Sequence, residues 1–139
     1  MSEAPLLLDT CAAIWILENA ELSEEAVAAM DHASDAGEPV YVSPVTAWEV
    51  GLLSLRGRFR ATLDPQRWFD RLMSVPGIRL AGMPPEVLIA SARIPDGPLR
   101  DPADRIIAAT AREYDYVVVT RDRPLLRYAE SGHLRALAC

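Results

Sequence analysis

Asp101-Pro102-Ala103-Asp104-Arg105-Ile106-Ile107-Ala108-Ala109-Thr110-Ala111-Arg112-Glu113, followed after two residues by Tyr116-Val117-Val118-Val119-Thr120, decides the fold. The first run reads as a clear helix from Ala103 to Glu113, with acids and a proline at its start. The second is the strongest strand in the chain. Working outward, the same alternation recurs. Pro5 to Asp9 reads as a short buried strand, and Thr10 to Glu18 as an apolar helix. Ser23-Glu24-Glu25 opens a second helix, because Ser caps free amides and the acids suit the positive end. Gly37 ends it. Pro39 to Ser43 is the second strand. Ser43-Pro44 starts a helix that runs to about Gly57, with Ser as cap and Pro at its first position. Asp64-Pro65 repeats the signal for a helix holding Trp68, Phe69 and Leu72. Ile78 to Leu80 is a weak strand, and Pro85 to Arg93 a short helix. Three prolines and a glycine make Ile94 to Pro102 a loop. Leu125 to Ser131 is a last helix, and Leu134 to Leu137 a candidate last strand.

Strands alternating with helices predict a mostly parallel sheet covered on both faces. With 139 residues, half of them hydrophobic, and no repeat or dividing linker, the expectation is a single α/β domain over residues 1–139. No apolar run approaches the roughly 20 residues of a membrane helix. The N-terminus lacks the basic stretch of a signal peptide. Cys11 and Cys139 form neither a disulfide framework nor a zinc spacing. A soluble cytoplasmic protein is the expectation.

All fourteen basic residues are Arg. This excludes a P-loop, which needs its Lys, and Schiff-base chemistry. A phospho-accepting receiver domain, which relies on a Lys beside its acids, is also disfavoured. His32 and His133 would form a Ser/His/Asp triad only by coincidence. A net charge of −6 argues against simple electrostatic binding of nucleic acid, but it leaves room for a nuclease whose cations cancel part of that charge.

In parallel sheets, sites form outside the C-terminal ends of the strands, and the acids fall there. Asp9 closes the first strand. Asp122 lies just past the strongest strand. Asp101 and Asp104 flank Pro102 at a helix start. Glu49 lies in the helix after the second strand, among apolar neighbours, where a charge must be paired or bind metal. Each has a plainer reading: Asp9 as a helix cap, Glu49 paired with Arg56 or Arg105, Asp104 as a helix-terminus acid, Asp122 as a turn residue. Asp101 as the cap would leave Asp104 free. Together, these acids suit one or two Mg²⁺ ions, or Mn²⁺ in their place, which take oxygen ligands and promote phosphodiester hydrolysis.

Four segments in this order resemble the PIN domain, and within it the VapC-type toxins of bacterial toxin–antitoxin pairs: Leu6-Leu7-Leu8-Asp9-Thr10, Ser43-Pro44-Val45-Thr46-Ala47-Trp48-Glu49, Arg100 to Ala111, and Val118-Val119-Thr120-Arg121-Asp122. The resemblance spans nearly the whole chain. It implies a Rossmann-like three-layer domain, a central mostly parallel sheet flanked by helices, and a Mg²⁺-dependent ribonuclease. It places the acidic centre at Asp9, Glu49, Asp104 and Asp122. Asp9 and Asp104 are the expected core metal ligands; Glu49, Asp122 and the neighbouring Asp101 support them, and the Thr120 hydroxyl braces the site. It also implies a homodimer and a cognate antitoxin that covers the site. Similar sequences often carry His where this chain has Cys11 and Leu99, which bears on RNA positioning rather than on metal ligation.

Arg100, Arg121 and Arg123 adjoin the acids and are candidate phosphate contacts, because guanidinium suits bidentate phosphate recognition; pairing with the acids is their alternative. Trp15, Trp48 and Trp68 sit in apolar helical stretches and read as core or dimer packing rather than base stacking. The rival enzyme is a DNA nuclease, but the extra helical segments that grip DNA are missing. A dehalogenase-type phosphatase would need an acid where Cys11 stands. A PIN fold acting only as a binding module would be expected to lack one of the four acids.

Overall fold

The structure is a computed structural model that describes residues 4–18, 21–95 and 99–139. Five strands form one sheet: β1 (Leu6–Leu8), β2 (Val40–Val42), β3 (Ile78–Leu80), β4 (Val117–Thr120) and β5 (Arg135–Ala138). Their order is β3-β2-β1-β4-β5, and every neighbouring pair runs parallel. Among the described residues seven helices connect them: α1 (Thr10–Leu17), α2 (Glu24–Asp35), α3 (Val45–Leu55), α4 (Pro65–Ser74), α5 (Pro85–Ala92), α6 (Pro102–Tyr114) and α7 (Arg123–Glu130).

The pleat sorts the strand residues onto two cores, because alternate side chains point to opposite faces. Leu6, Leu8, Val40, Val42 and Val119 pack with Ala12 and Ala13 of α1, Ala26 and Ala33 of α2, and Trp68 and Leu72 of α4. Leu7 and Val118 pack on the other face with Ala103, Ile107 and Ala111 of α6. Ala108 of α6 continues that layer to Leu125 and Tyr128 of α7. Small residues on α1 and α6 let these helices lie close to the sheet.

The helix starts follow the expected chemistry. Ser23, Asp64, Asp101 and Asp122 each accept a backbone N–H in the first turn of α2, α4, α6 and α7. Ser43 Oγ accepts the Val45 N–H at 3.1 Å, with Pro44 between them. The last helix begins two residues earlier than expected, at Arg123, because Asp122 is its cap and Pro124 fits its first turn. The last strand is shifted one residue along, to Arg135–Ala138.

Strand order reverses between β1 and β4. β2 and β3 extend to one side of β1, and β5 lies beyond β4. Connections leaving β1 and β4 diverge there, which opens a crevice at their C-terminal ends. Asp9 follows β1 and Asp122 follows β4, so the reversal sets the stage for the site.

Candidate active site

Asp9 is buried at 3 % exposure, unusual for a carboxylate, and its surroundings account for it. Its backbone N–H continues the sheet ladder to the Val119 carbonyl at 3.1 Å. Oδ1 accepts the Ala12 N–H at 2.8 Å, which makes Asp9 the cap of α1. Oδ2 accepts the Thr120 hydroxyl. Thr120 Oγ1 in turn accepts the Asp122 N–H at 2.8 Å, and Asp122 Oδ2 accepts the Leu125 N–H at 3.0 Å. One fully buried hydroxyl thus ties the ends of β1 and β4 together. Asp9 is the cap of α1, and its second carboxylate oxygen still faces Thr120 at the sheet edge, so capping does not preclude a role in a site.

Glu49 is half-buried on α3, two turns or less from its start. Its partner is not an arginine. Thr10 Oγ1 donates to Glu49 Oε1 and lies 3.1 Å from Thr46 Oγ1. Thr10 has one hydroxyl proton and gives it to Glu49, so Thr46 donates to Thr10. Arg105 spends its Nε on the Ser91 carbonyl at 2.9 Å and an Nη on the Leu99 carbonyl at 2.8 Å.

Asp101 Oδ1 caps α6 through the Ala103 N–H at 3.3 Å. Asp104, one turn on, has a half-buried carboxyl with no hydrogen-bond donor among the described residues. The acids register one another electrostatically. Burial, then Asp122, Asp101, Glu49 and Asp9, push Asp104 up to about 8. Burial also raises Asp9 to about 6, against the hydrogen bonds from Thr120 and Ala12, and Asp122 adds to the rise. Burial raises Glu49, opposed by Thr10 and helped by Asp101, Asp9 and Asp122. Cys11, exposed as a residue, faces the same centre; the protein around its sulfur and the charges of Asp9, Glu49, Asp122 and Asp104 push the thiol up to about 12. It stays a neutral thiol rather than a thiolate ligand.

These are hard oxygen donors, mutually repelling and with an unpartnered member, which is the donor set a hard divalent cation takes. Among the described residues no three of them close into a preformed coordination shell.

The chain matches the PIN domain family over residues 6–131. It belongs to the PIN domain family. Among curated relatives it is 31 % identical over 121 residues to Ribonuclease VapC22 of Mycobacterium tuberculosis, an alignment covering 86 % of this chain and 88 % of that one. Among solved structures it resembles VapBC2 from Rickettsia felis bound to a promoter DNA fragment (TM-score 0.68, 11 % identity, 96 % of this chain and 97 % of the other). It also resembles DNA-bound VapBC from Salmonella typhimurium (TM-score 0.62, 19 % identity, 98 % of each chain). These establish the PIN fold: a parallel five-stranded sheet between helical layers.

The expected arginines fare differently. Arg121 lies flat over the Trp15 ring, its guanidinium carbon 3.3 Å from the centroid, and it donates to the carbonyls of Cys139 and Glu21. It clamps the chain end and α1 to β4. Arg100 and Arg123 are exposed, and their side chains make no hydrogen bond or ion pair among the described residues. The tryptophans divide as well. Trp68 is core at 1 % exposure, whereas Trp48, expected to pack, is 52 % exposed on α3 beside Glu49. The core half of that expectation fails for Trp48, because α3 turns Val45 and Val50 inward and Trp48 outward. Thr10 and Thr46 were missed as site residues. Their presence in the Asp9-Thr10 and Thr46-to-Glu49 segments was the available signal.

Proposed function

We propose that this PIN domain is a Mg²⁺-dependent endoribonuclease acting as the toxin of a toxin–antitoxin pair. What carries the reading is the convergence of Asp9, Glu49, Asp104 and Asp122 on the β1–β4 crevice, where burial and the neighbouring acids raise the proton affinity of Asp9, Glu49 and Asp104. The VapC22 relative supports the choice of RNA. When bound, Mg²⁺, or Mn²⁺ in its place, supplies Lewis-acid activation of water and neutralises charge at the phosphodiester. Asp9 and Asp104 are its ligands, and Glu49, Asp122 and Asp101 complete the acidic field. Thr120 fixes the Asp9 carboxyl, and Thr10 fixes one oxygen of Glu49. The proposed partners are RNA, an antitoxin protein covering the site and a second copy of the chain; the proposed compartment is the cytoplasm. Among the described residues no helix is long and apolar enough to cross a membrane.

The test is cleavage of matched RNA and DNA pools by antitoxin-free protein with Mg²⁺, Mn²⁺ or EDTA, beside Asp9→Asn. Discrete RNA products that require metal and Asp9 are expected. Cleavage of DNA alone would replace the reading with a DNA nuclease. Absence of both cleavage and calorimetric metal binding would leave a binding module.

A further prediction concerns Thr10. Thr10→Val keeps the shape and removes the donor to Glu49, so kcat is expected to fall roughly 10–100-fold, the usual cost of losing a group that orients a metal ligand. Thr10→Ser keeps the hydroxyl and restores most of it. In a Glu49→Gln background Thr10→Val adds little, because it acts through Glu49. Equal losses in Val and Ser variants would show that Thr10 matters for packing alone.

A further inference from the structure

Arg56, Arg58 and Arg60 stand on the turn that ends α3. All three are exposed, and none of their side chains makes a hydrogen bond or ion pair among the described residues. Their presentation is built into the backbone. Gly57 adopts φ +69°, the Arg58 N–H reaches the Leu53 carbonyl at 2.7 Å, and the Gly57 N–H reaches Ser54 at 3.0 Å. This is a Schellman closure, which turns the chain sharply at the helix end. Phe59 then packs edge-on against buried Trp68, ring centroids 5.7 Å apart. With Phe59 anchored inward, Arg58 and Arg60 on either side are turned to solvent.

The charge is locally unbalanced. Residues 56–71 carry five Arg and two Asp in a chain of net charge −6. One of those acids, Asp64, caps α4 and pairs with Arg67 at 3.6 Å. Helix C-termini attract cations through their dipole, but that effect fades within a turn. It accounts for Arg56 and not for a run of three. The turn is also aligned with the site. Arg56 follows Glu49 by seven residues, two helical turns, so the two share a face of α3 about 10 Å apart along its axis. Exposed Trp48 adjoins Glu49 on the same helix, at 52 % exposure.

We infer that Arg56, Arg58 and Arg60 form a phosphate-binding site for single-stranded RNA, holding the backbone of a strand whose scissile bond lies at the acidic centre, with Trp48 as a stacking surface beside Glu49. The inference rests on the ribonuclease reading. It explains how a net acidic enzyme holds a polyanion: repulsion at the carboxylates is offset by a separate cationic anchor rather than by overall charge.

The experiment uses full-length protein in the Asp9→Asn form, which binds without cutting, and a short labelled single-stranded RNA titrated over a salt series with Mg²⁺ present. Replacing all three arginines by Gln is expected to weaken binding roughly ten- to hundredfold at low salt and to reduce the slope of log affinity against log salt by about 2, as for three lost phosphate contacts. The triple Lys variant keeps the slope. Trp48→Ala weakens binding with the slope unchanged, since stacking releases no counterions. In the Asp9-containing protein the Gln variant raises KM and spares kcat. A parent that cleaves RNA while the Gln variant keeps the same slope and KM overturns the phosphate site and leaves the ribonuclease reading standing. A parent that cleaves no RNA with metal overturns that reading, and this one with it. Melting temperature of each variant separates lost binding from lost folding.

Discussion

Asp104→Asn is expected to give a protein that melts higher than the parent without metal and no longer cleaves RNA. Its carboxyl has been pushed up to about 8 by burial and by Asp122, Asp101, Glu49 and Asp9. No donor among the described residues offsets that cost. An amide of the same shape removes one charge from the repelling group. The gain is of order 1–3 kcal/mol near pH 8 after allowing for solvent screening. For a domain of this size that is a rise of several degrees in Tm. Cleavage falls by more than the roughly 10–100-fold typical of groups that only support metal ligands. Stability and activity moving in opposite directions is the signature of a charge placed for chemistry. A plain helix-terminus acid would behave otherwise: its loss from the first turn of α6 would lower stability by a fraction of about 1 kcal/mol, and Tm slightly with it, and leave cleavage intact. Differential scanning in EDTA and a cleavage assay in Mg²⁺ on the same preparation decide between them.

The legibility of this fold follows from where its signals lie. Strands such as Leu6–Leu8 and Val117–Thr120 are apolar on both faces because helices cover both, and such runs announce a parallel sheet without any knowledge of contacts. Ser23, Asp64 and Asp101 announce helix starts because a cap is a local bond, made within three residues. The placement of Asp9, Asp101 and Asp122 was readable for the same reason: each closes a strand or opens a helix, and parallel topology puts those ends on one edge, whereas Glu49 reaches it from inside α3. Other features depend on pairings that no local pattern encodes. Thr10 meets Thr46 and Glu49 across 36 and 39 residues. Arg121 meets Trp15 and the carbonyls of Glu21 and Cys139, partners distant in sequence. Trp48 is exposed because α3 presents Val45 and Val50 inward, and its angular position on the helix, rather than its hydrophobicity, settled its fate.

The metal-free protein is expected to lose stability as pH rises from about 4 to about 8, with Mg²⁺ restoring it progressively over the same range. Asp9 sits at about 6 in the folded protein against an ordinary 3.8, and Asp104 at about 8. Both are raised, so folding favours their protonated forms. Their stabilising contribution is complete below about pH 4, where both states are protonated. It is lost as pH climbs through about 6 for Asp9 and about 8 for Asp104. For Asp9 alone the two-unit shift corresponds to roughly 3 kcal/mol at most. This is opposite in sign to the usual paired carboxylate, whose contribution disappears on acidification. A divalent cation binds the ionised acids, so its affinity must rise with pH, and binding must expel protons. The gap in Tm between Mg²⁺ and EDTA should therefore widen steadily from about pH 5 to about pH 8. Titration calorimetry in two buffers of different ionisation heat should show a proton released near neutral pH, chiefly from Asp104. In Asp104→Asn most of that proton release disappears, while the lower step belonging to Asp9 persists. A Mg²⁺ affinity that is flat across the range would mean the carboxylates are already ionised and do not repel one another; the acidic cluster would then be a set of caps sharing an edge of the sheet. A rising affinity with proton release would tie the energetic cost of gathering these acids directly to the cation that relieves it.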